Sequence, residues 1–356
     1  MVSEPVRACA GGVTIPNTMR AVVLTGHGGF EKLELRDDIP LPTPGPRDAL
    51  IRIGAAAVNN TDINTRIGWY AKAVGANDDS GWTGAAFQFP RIQGADACGQ
   101  IVAVGEQVDP SRIGERVLVE PVFRSANPYD VSYFGSEVDG AFADYACVPA
   151  IHAHRISSDL SDTELASFPC AYSAAENMLT RVGLTASERV LITGASGGVG
   201  SAAVQLARRR GAEVIAVAGV DKAEAVGALG ADTVISRDAD LGARFGSYYF
   251  DAAIDIVGGV NFSAIQNCLK SGGRYAVAGA ISGPIVDLDL RTLYLKDLSL
   301  FGCTVLEPTV FPNLIGYIER GEVKPLVAAT YPLFEIAAAQ ELFLTKRHVG
   351  KIVLTQ

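Results

Sequence analysis

The sequence predicts an α/β chain of two domains, one β-rich and the other built on a doubly wound parallel sheet. Three observations carry this. From Met19 to Val148 the texture is short alternating or apolar runs broken by Gly, Pro and Asp. From Asp162 onward, apolar strand-like runs alternate with segments of helical spacing. The chain has 356 residues, 48% of them hydrophobic, with 38 glycines, which suffices for two cores and many tight turns.

Taken in order, the first eighteen residues lack a secretory apolar core, so they are expected to be a flexible extension of a cytoplasmic protein. MRAVVLTG and KLEL are strands, and PLPTPGPRD separates them from ALIRIGAAAV, GQIVAVG, RVLVE and FADYACVP. Val190–Thr193 is an apolar strand, followed by a turn with Gly194, Gly197, Gly198 and Gly200. A helix over Ser201–Arg210 closes at Gly211 before a strand over Glu213–Ala218. Helix Lys222–Leu229, strands Thr233–Ser236 and Asp251–Val257, helix Phe262–Leu269 and strands Arg274–Gly279 and Ser299–Thr304 complete a six-stranded parallel sheet. Helices Pro312–Arg320 and Glu335–Thr345 and the strand GKIVLTQ remain, and they are assigned back to the first domain. The expected boundaries are residues 1–157 with 306–356 for the β-rich domain and 158–305 for the parallel sheet.

The glycine turn is the strongest chemical signal. At the N-terminus of a helix it lets backbone N–H groups approach a pyrophosphate, whose charge the helix dipole favours. Ala195-Ser196-Gly197-Gly198-Val199-Gly200 matches the dinucleotide fingerprint with alanine for the first glycine. The same string fits the turn of short-chain dehydrogenases. Those begin with it and carry Tyr-x-x-x-Lys downstream, whereas here about 190 residues precede it and no such pair occurs.

Composition excludes several classes. A net charge of −9 argues against nucleic acid or an anionic membrane surface as partner. No apolar stretch reaches membrane-spanning length. Six widely spaced cysteines with no Cys-x-x-Cys pair read as reduced thiols. His152 and His154 alternate along a strand with no paired acid in sight and are expected in solvent.

GADACGQIVAVG, RIGERVLVE, DGAFADYACVP, ASGGVG, DIVGG, GGRYAVAG and HVGKIVL stand in the order and spacing of the medium-chain dehydrogenase/reductase superfamily, which the chain resembles from Met19 to Gln356. That resemblance implies a GroES-like catalytic domain, a Rossmann domain and hydride transfer with a nicotinamide. Zinc members carry Cys-x-Thr-Asp and Gly-His-Glu. Here the strings are Asn59-Asn60-Thr61-Asp62 and Gly94-Ala95-Asp96, and only Cys170 stands at a usual ligand position. A catalytic zinc needs three protein ligands, so none is expected.

The substitutions resemble the zinc-free quinone and enoyl-thioester reductases, as does VNNTDINTRIGWY. By that resemblance Asn59 faces the nicotinamide and Tyr70 reaches substrate. Tyr70, Asn59 and Asn60 are the candidate donors to a developing oxyanion. Ser173 would reach the carboxamide, while Gly258, Gly279 and Ala280 would line the cofactor's path. The second strand of the parallel sheet ends at Gly219 rather than an acid, and Lys222 and Arg237 lie nearby, which favours NADPH, with NADH possible. Residues 71–89 form a longer connection than usual, expected as a lid or subunit contact containing Trp82 and an Asp78–Ser80 tip. Members of that superfamily pair the last strands of their parallel sheets edge to edge, so the resemblance implies a homodimer through SLSLFGCTV, acting on a small molecule. The alternatives are an alcohol or aldehyde dehydrogenase with an atypical zinc site and a non-catalytic NADPH-binding protein.

Overall fold

The computed structural model describes residues 15–70, 87–125, 127 and 130–356. Residues 1–14 of the expected N-terminal extension, the Asp78–Ser80 tip and Trp82 lie outside the described residues, whereas Thr18 at the end of that extension already pairs with Pro40 in a strand.

The chain divides into two compact units. One holds the described residues up to Cys170 with Val327–Arg347 and Lys351–Gln356; the other holds Ala171–Leu326 with His348–Gly350.

In the first unit the ten-residue strand Asp48–Ala57 is the axis of a seven-stranded sheet. Asp96–Val104 lies antiparallel on one side and Lys351–Thr355 antiparallel on the other. Arg116–Val119 and Ala153–Arg155 extend one flank, and Val327–Pro332 extends the other. Tyr145–Pro149 also pairs with the axis strand. Ile51, Ile53, Ile101, Val117, Phe142 and Ile352 are buried together in its core. Each such side chain contributes about 1.5–3 kcal/mol on burial. A central strand covered on both faces needs apolar residues at consecutive positions, which is why ALIRIGAAAV reads as a run rather than an alternation.

The second unit is a six-stranded, wholly parallel sheet. Its spatial order is Thr233–Ser236, Glu213–Ala218, Arg189–Ile192, Phe250–Asp255, Leu269–Val277, Ser299–Gly302. The order runs outward in both directions from Arg189–Ile192, so the crevice beyond the carboxyl ends opens between that strand and Phe250–Asp255. Helix Gly198–Arg209 buries Ala202, Ala203, Leu206 and Ala207 on one stripe, leaving Arg208 and Arg209 in its last turn. Segment 305–307 is tied to helix Pro169–Arg181, because Asn177 donates to Val305 O (3.1 Å) and accepts from Glu307 N–H (3.0 Å). Helix Val310–Glu319 accordingly belongs to this unit. Among the described residues no helix is long and apolar enough to cross a membrane.

Candidate active site

Strand register assembles the first cluster. Ala57 pairs with Asp96 on one neighbour and with Val353 on the other, so continuing the second register brings Lys351 opposite Asn59. Asn59 is the N-cap of a short helix, Asn60–Arg66, and its N–H donates to the Asp62 carboxylate at 2.7 Å. Lys351 Nζ donates to Asn59 Oδ1 and, at 2.8 Å, to Asp96 Oδ2. Asn59 Nδ2 donates to the same Asp96 oxygen at 2.8 Å and to Ala57 O at 3.2 Å. The other Asp96 oxygen accepts the Cys170 N–H at 2.6 Å. Asp62, Asp96 and Lys351 are 2%, 0% and 3% exposed, so the cluster must satisfy itself. Burial lifts the Asp62 carboxyl to about 7, against the pull of its hydrogen bond from Asn59 and the Lys351 charge.

This geometry corrects the role expected of Asn59. Both amide hydrogens are engaged within the cluster, so it holds Asp96 and Lys351 rather than offering a donor to an oxyanion. Asn60 lies at the exposed start of the helix, where its Oδ1 accepts from Lys346 Nζ at 3.1 Å. Tyr70 is half-buried, its hydroxyl 3.5 Å from Thr61 Oγ1 and its ring edge-on to Trp69 at 5.2 Å. Burial raises the Tyr70 phenol, so it stays protonated across the physiological range.

His152 also departs from expectation. It is buried, with Nδ1 2.8 Å from Glu120 Oε2, and His154 Nε2 lies 3.3 Å from the same oxygen. Burial opposes ionisation of Glu120, yet the two histidines and Arg124 hold it down at about 2. A buried carboxylate draws the imidazoles inward. Arg124 pairs with Glu120 and Arg91 with Asp139, while Arg66 donates to Gln340 and to Gly28 O.

The second cluster is the tips of the parallel strands. Gly194 has φ +59°, and a Cβ on Gly200 would lie 2.1 Å from Gly194 O, so only glycine permits the helix to start this close to the strand. Ala195 is buried and Gly197 exposed; Ser196, Gly198 and Val199 lie between these extremes. Asp255 Oδ1 accepts from Thr193 Oγ1 (2.6 Å) and from the N–H groups of Val257 and Gly258 (2.9 Å each), while Oδ2 accepts from Tyr275 OH (2.5 Å). One buried carboxylate thus fixes the ends of two central strands and the Gly258 turn. Gly279 approaches Ile256 O so closely that a Cβ would lie 2.3 Å from it, and Ala280 packs against Gly258. Ser173 is buried in helix Pro169–Arg181. Beyond Gly219 the chain turns back, and a Cβ there would lie 2.6 Å from Asp221 Oδ1 and 3.5 Å from Arg237 Nη2. Lys222 is half-exposed beside it. The glycine turn therefore fits a dinucleotide pyrophosphate, and an acid and a cation both face the end of the second strand.

An alcohol dehydrogenase GroES-like domain matches residues 45–158, and a zinc-binding dehydrogenase domain matches residues 198–320. A quinone oxidoreductase of Lama guanicoe is 30% identical over 350 residues, covering 94% of this chain and 97% of its own. The chain belongs to the medium-chain dehydrogenase/reductase superfamily. As an oxidoreductase of that superfamily, it has a GroES-like first unit and a Rossmann-like second. An acryloyl-coenzyme A reductase of Metallosphaera sedula is 29% identical over 95% of this chain and all of its own. A solved structure from Sinorhizobium meliloti 1021, described as a candidate alcohol dehydrogenase, is 46% identical with TM-score 0.88, covering 96% of this chain and 97% of the other.

Zinc-binding members exist in the superfamily, and the donor set here does not fit a catalytic zinc. Asn59 Oδ1 is already held by Lys351 and Ala95 has no ligand atom, which leaves Cys170 alone among the three positions where zinc members carry a ligand. Among the described residues no three His, Cys, Asp or Glu side chains are placed to hold a metal ion.

Sequence reasoning missed Lys351 and Asp255. Lys351 carries a readable signal, a single cation entering an otherwise apolar closing strand.

Proposed function

We propose that the protein is a zinc-independent, NADPH-dependent reductase of quinones or of double bonds conjugated to a carbonyl. The observation that carries this is the replacement of two metal-ligand positions by Asn59 and Ala95, in a chain that also carries a dinucleotide turn at Gly194–Gly200. The names of the quinone oxidoreductase and acryloyl-coenzyme A reductase relatives support the same chemistry.

Reduction of such a substrate leaves negative charge on its oxygen, and with no metal that charge must be met by hydrogen-bond donors. Tyr70 is the leading donor, because its half-buried phenol keeps its proton. Asn60 is the second candidate, its amide lying at the exposed start of its helix. The bound nicotinamide supplies the hydride. Backbone N–H groups from Ala195 to Gly200 would hold the pyrophosphate, with Ser173, Gly258, Gly279 and Ala280 toward the nicotinamide. Lys222 and Arg237 would take the 2′-phosphate, and Arg237→Ala should raise KM for NADPH at least tenfold while leaving NADH turnover unchanged. Equal effects on both would remove Arg237 from cofactor selection.

The deciding experiment follows nicotinamide absorbance with a panel of quinones, enones, enoyl thioesters and alcohols, alongside metal analysis of the purified chain. Turnover of a quinone, enone or enoyl thioester in excess chelator is expected. One zinc per chain, lost together with alcohol oxidation on chelation, would overturn the proposal in favour of an alcohol dehydrogenase. Tight NADPH binding without turnover of any class would favour a non-catalytic role.

A further inference from the structure

Lys351 enters the sheet as the first residue of a strand whose next three residues are fully buried. A lysine so placed needs partners, because an uncompensated buried charge is among the costliest features a fold can carry. It has two, an amide oxygen from Asn59 and a carboxylate oxygen from Asp96. These are the oxygen types that coordinate hard cations. Each partner is held from a second direction, Asn59 by the Asp62 carboxylate and Ala57 O, Asp96 by the Cys170 N–H. Asn59 and Asp96 are therefore each held by a partner other than Lys351, as ligands around an ion are.

We propose that Asn59 and Asp96 form a cation site whose resident ion is the chain's own Lys351 ammonium, filling the electrostatic place that a metal holds in zinc-binding relatives. The proposal rests on the zinc-independent reading above and adds the residue that makes it possible. Without the ammonium, the buried Asp96 carboxylate would keep only neutral donors, the Asn59 amide and the Cys170 N–H, and no opposite charge, near Asp62, whose carboxyl the Asp96 charge already pushes upward.

Lys351→Ala tests this without reference to substrate. The variant should lose about 10 °C in thermal midpoint, because one partner of a buried ion pair is gone. Propylammonium chloride replaces the missing atoms and their charge, and should restore most of the loss with saturation. Propanol at the same concentration matches the volume without the charge and should not, nor should sodium chloride. If Lys351→Ala does not fold, two methionine variants carry the same test. Lys351→Met alone should be destabilised, while Asp96→Asn with Lys351→Met, which discharges both ends, should return to within a few degrees of wild type. Equal rescue by propanol, or a Lys351→Met chain as stable as wild type, would overturn the proposal and leave the zinc-independent reading standing. One tightly held zinc per wild-type chain would overturn that reading itself.

Discussion

Asp62 lies in the first turn of helix Asn60–Arg66, 2% exposed, with Asp96 and Lys351 as its charged neighbours and the Cys170 thiol in the same cluster. Burial lifts its carboxyl to about 7, so the folded chain keeps a proton that the unfolded chain releases near pH 4. Between those values the unfolded state binds fewer protons, and stability therefore falls as pH rises, by up to about 1.4 kcal/mol per unit, levelling above 7. Asp62→Asn keeps an acceptor for the Asn59 N–H and removes the titration. Urea unfolding at pH 5, 6, 7 and 8 should show that slope in the wild type and a flatter one in the variant. Glu120 works in the opposite sense at lower pH, since its depressed carboxyl contributes stability that is lost from about 4.5 down to 2. Tyr70 gives a second test at this scale. If its phenol donates to the substrate oxygen only as charge develops, Tyr70→Phe lowers kcat about 100-fold with KM nearly unchanged. An unchanged kcat would reduce Tyr70 and Trp69 to an aromatic contact.

At the scale of elements, the turn from Arg189–Ile192 into helix Gly198–Arg209 has no room for a side chain at Gly200. A methyl there would meet Gly194 O at 2.1 Å and Ala195 Cα at 2.7 Å, both backbone atoms that cannot yield without opening the turn. Gly200→Ala should weaken NADPH binding at least tenfold by fluorescence titration and lower the thermal midpoint, whereas an unaffected Kd would detach this turn from the cofactor. This element was legible in the sequence because its chemistry is local: strand, glycines and helix are contiguous, and their spacing encodes the geometry. The six parallel strands were legible for the same reason. Helix Asn60–Arg66 was passed over although Asn59-x-x-Asp62 is a capping pattern, because it is only two turns long and its apolar periodicity is weak. The Asn59–Asp96–Lys351 cluster was illegible because Lys351 comes from a strand 255 residues beyond Asp96, and only sheet register unites them. His152 and His154 were misplaced for a related reason: the carboxylate that draws His152 inward, Glu120, lies 32 residues earlier.

At the scale of the whole molecule, the parallel sheet ends on Ser299–Gly302, which among the described residues pairs on one side only, with Leu269–Val277. Leu300 on that strand is 38% exposed, and Leu290, Tyr294 and Leu295 in the preceding helix are 63%, 62% and 70% exposed. Ile285 just before them is 81% exposed. An unprotected strand edge beside a cluster of large apolar side chains is a hazard unless something covers it. A second copy can do so by a two-fold axis, because two such edges meeting antiparallel satisfy their own N–H and C=O groups and join two sheets into one. We propose that homodimer, and a charge at its centre tests it. Leu300→Lys brings two ammonium groups near the axis, where like charges oppose each other and no carboxylate on the strand compensates. Size-exclusion chromatography with light scattering should read a dimer for the wild type and a monomer for Leu300→Lys. The monomer should keep its circular dichroism and its NADPH affinity, since Leu300 lies on the edge strand and the glycine turn follows the third strand in from it. A wild-type chain already monomeric, or a variant still dimeric, would rule out this edge as the interface.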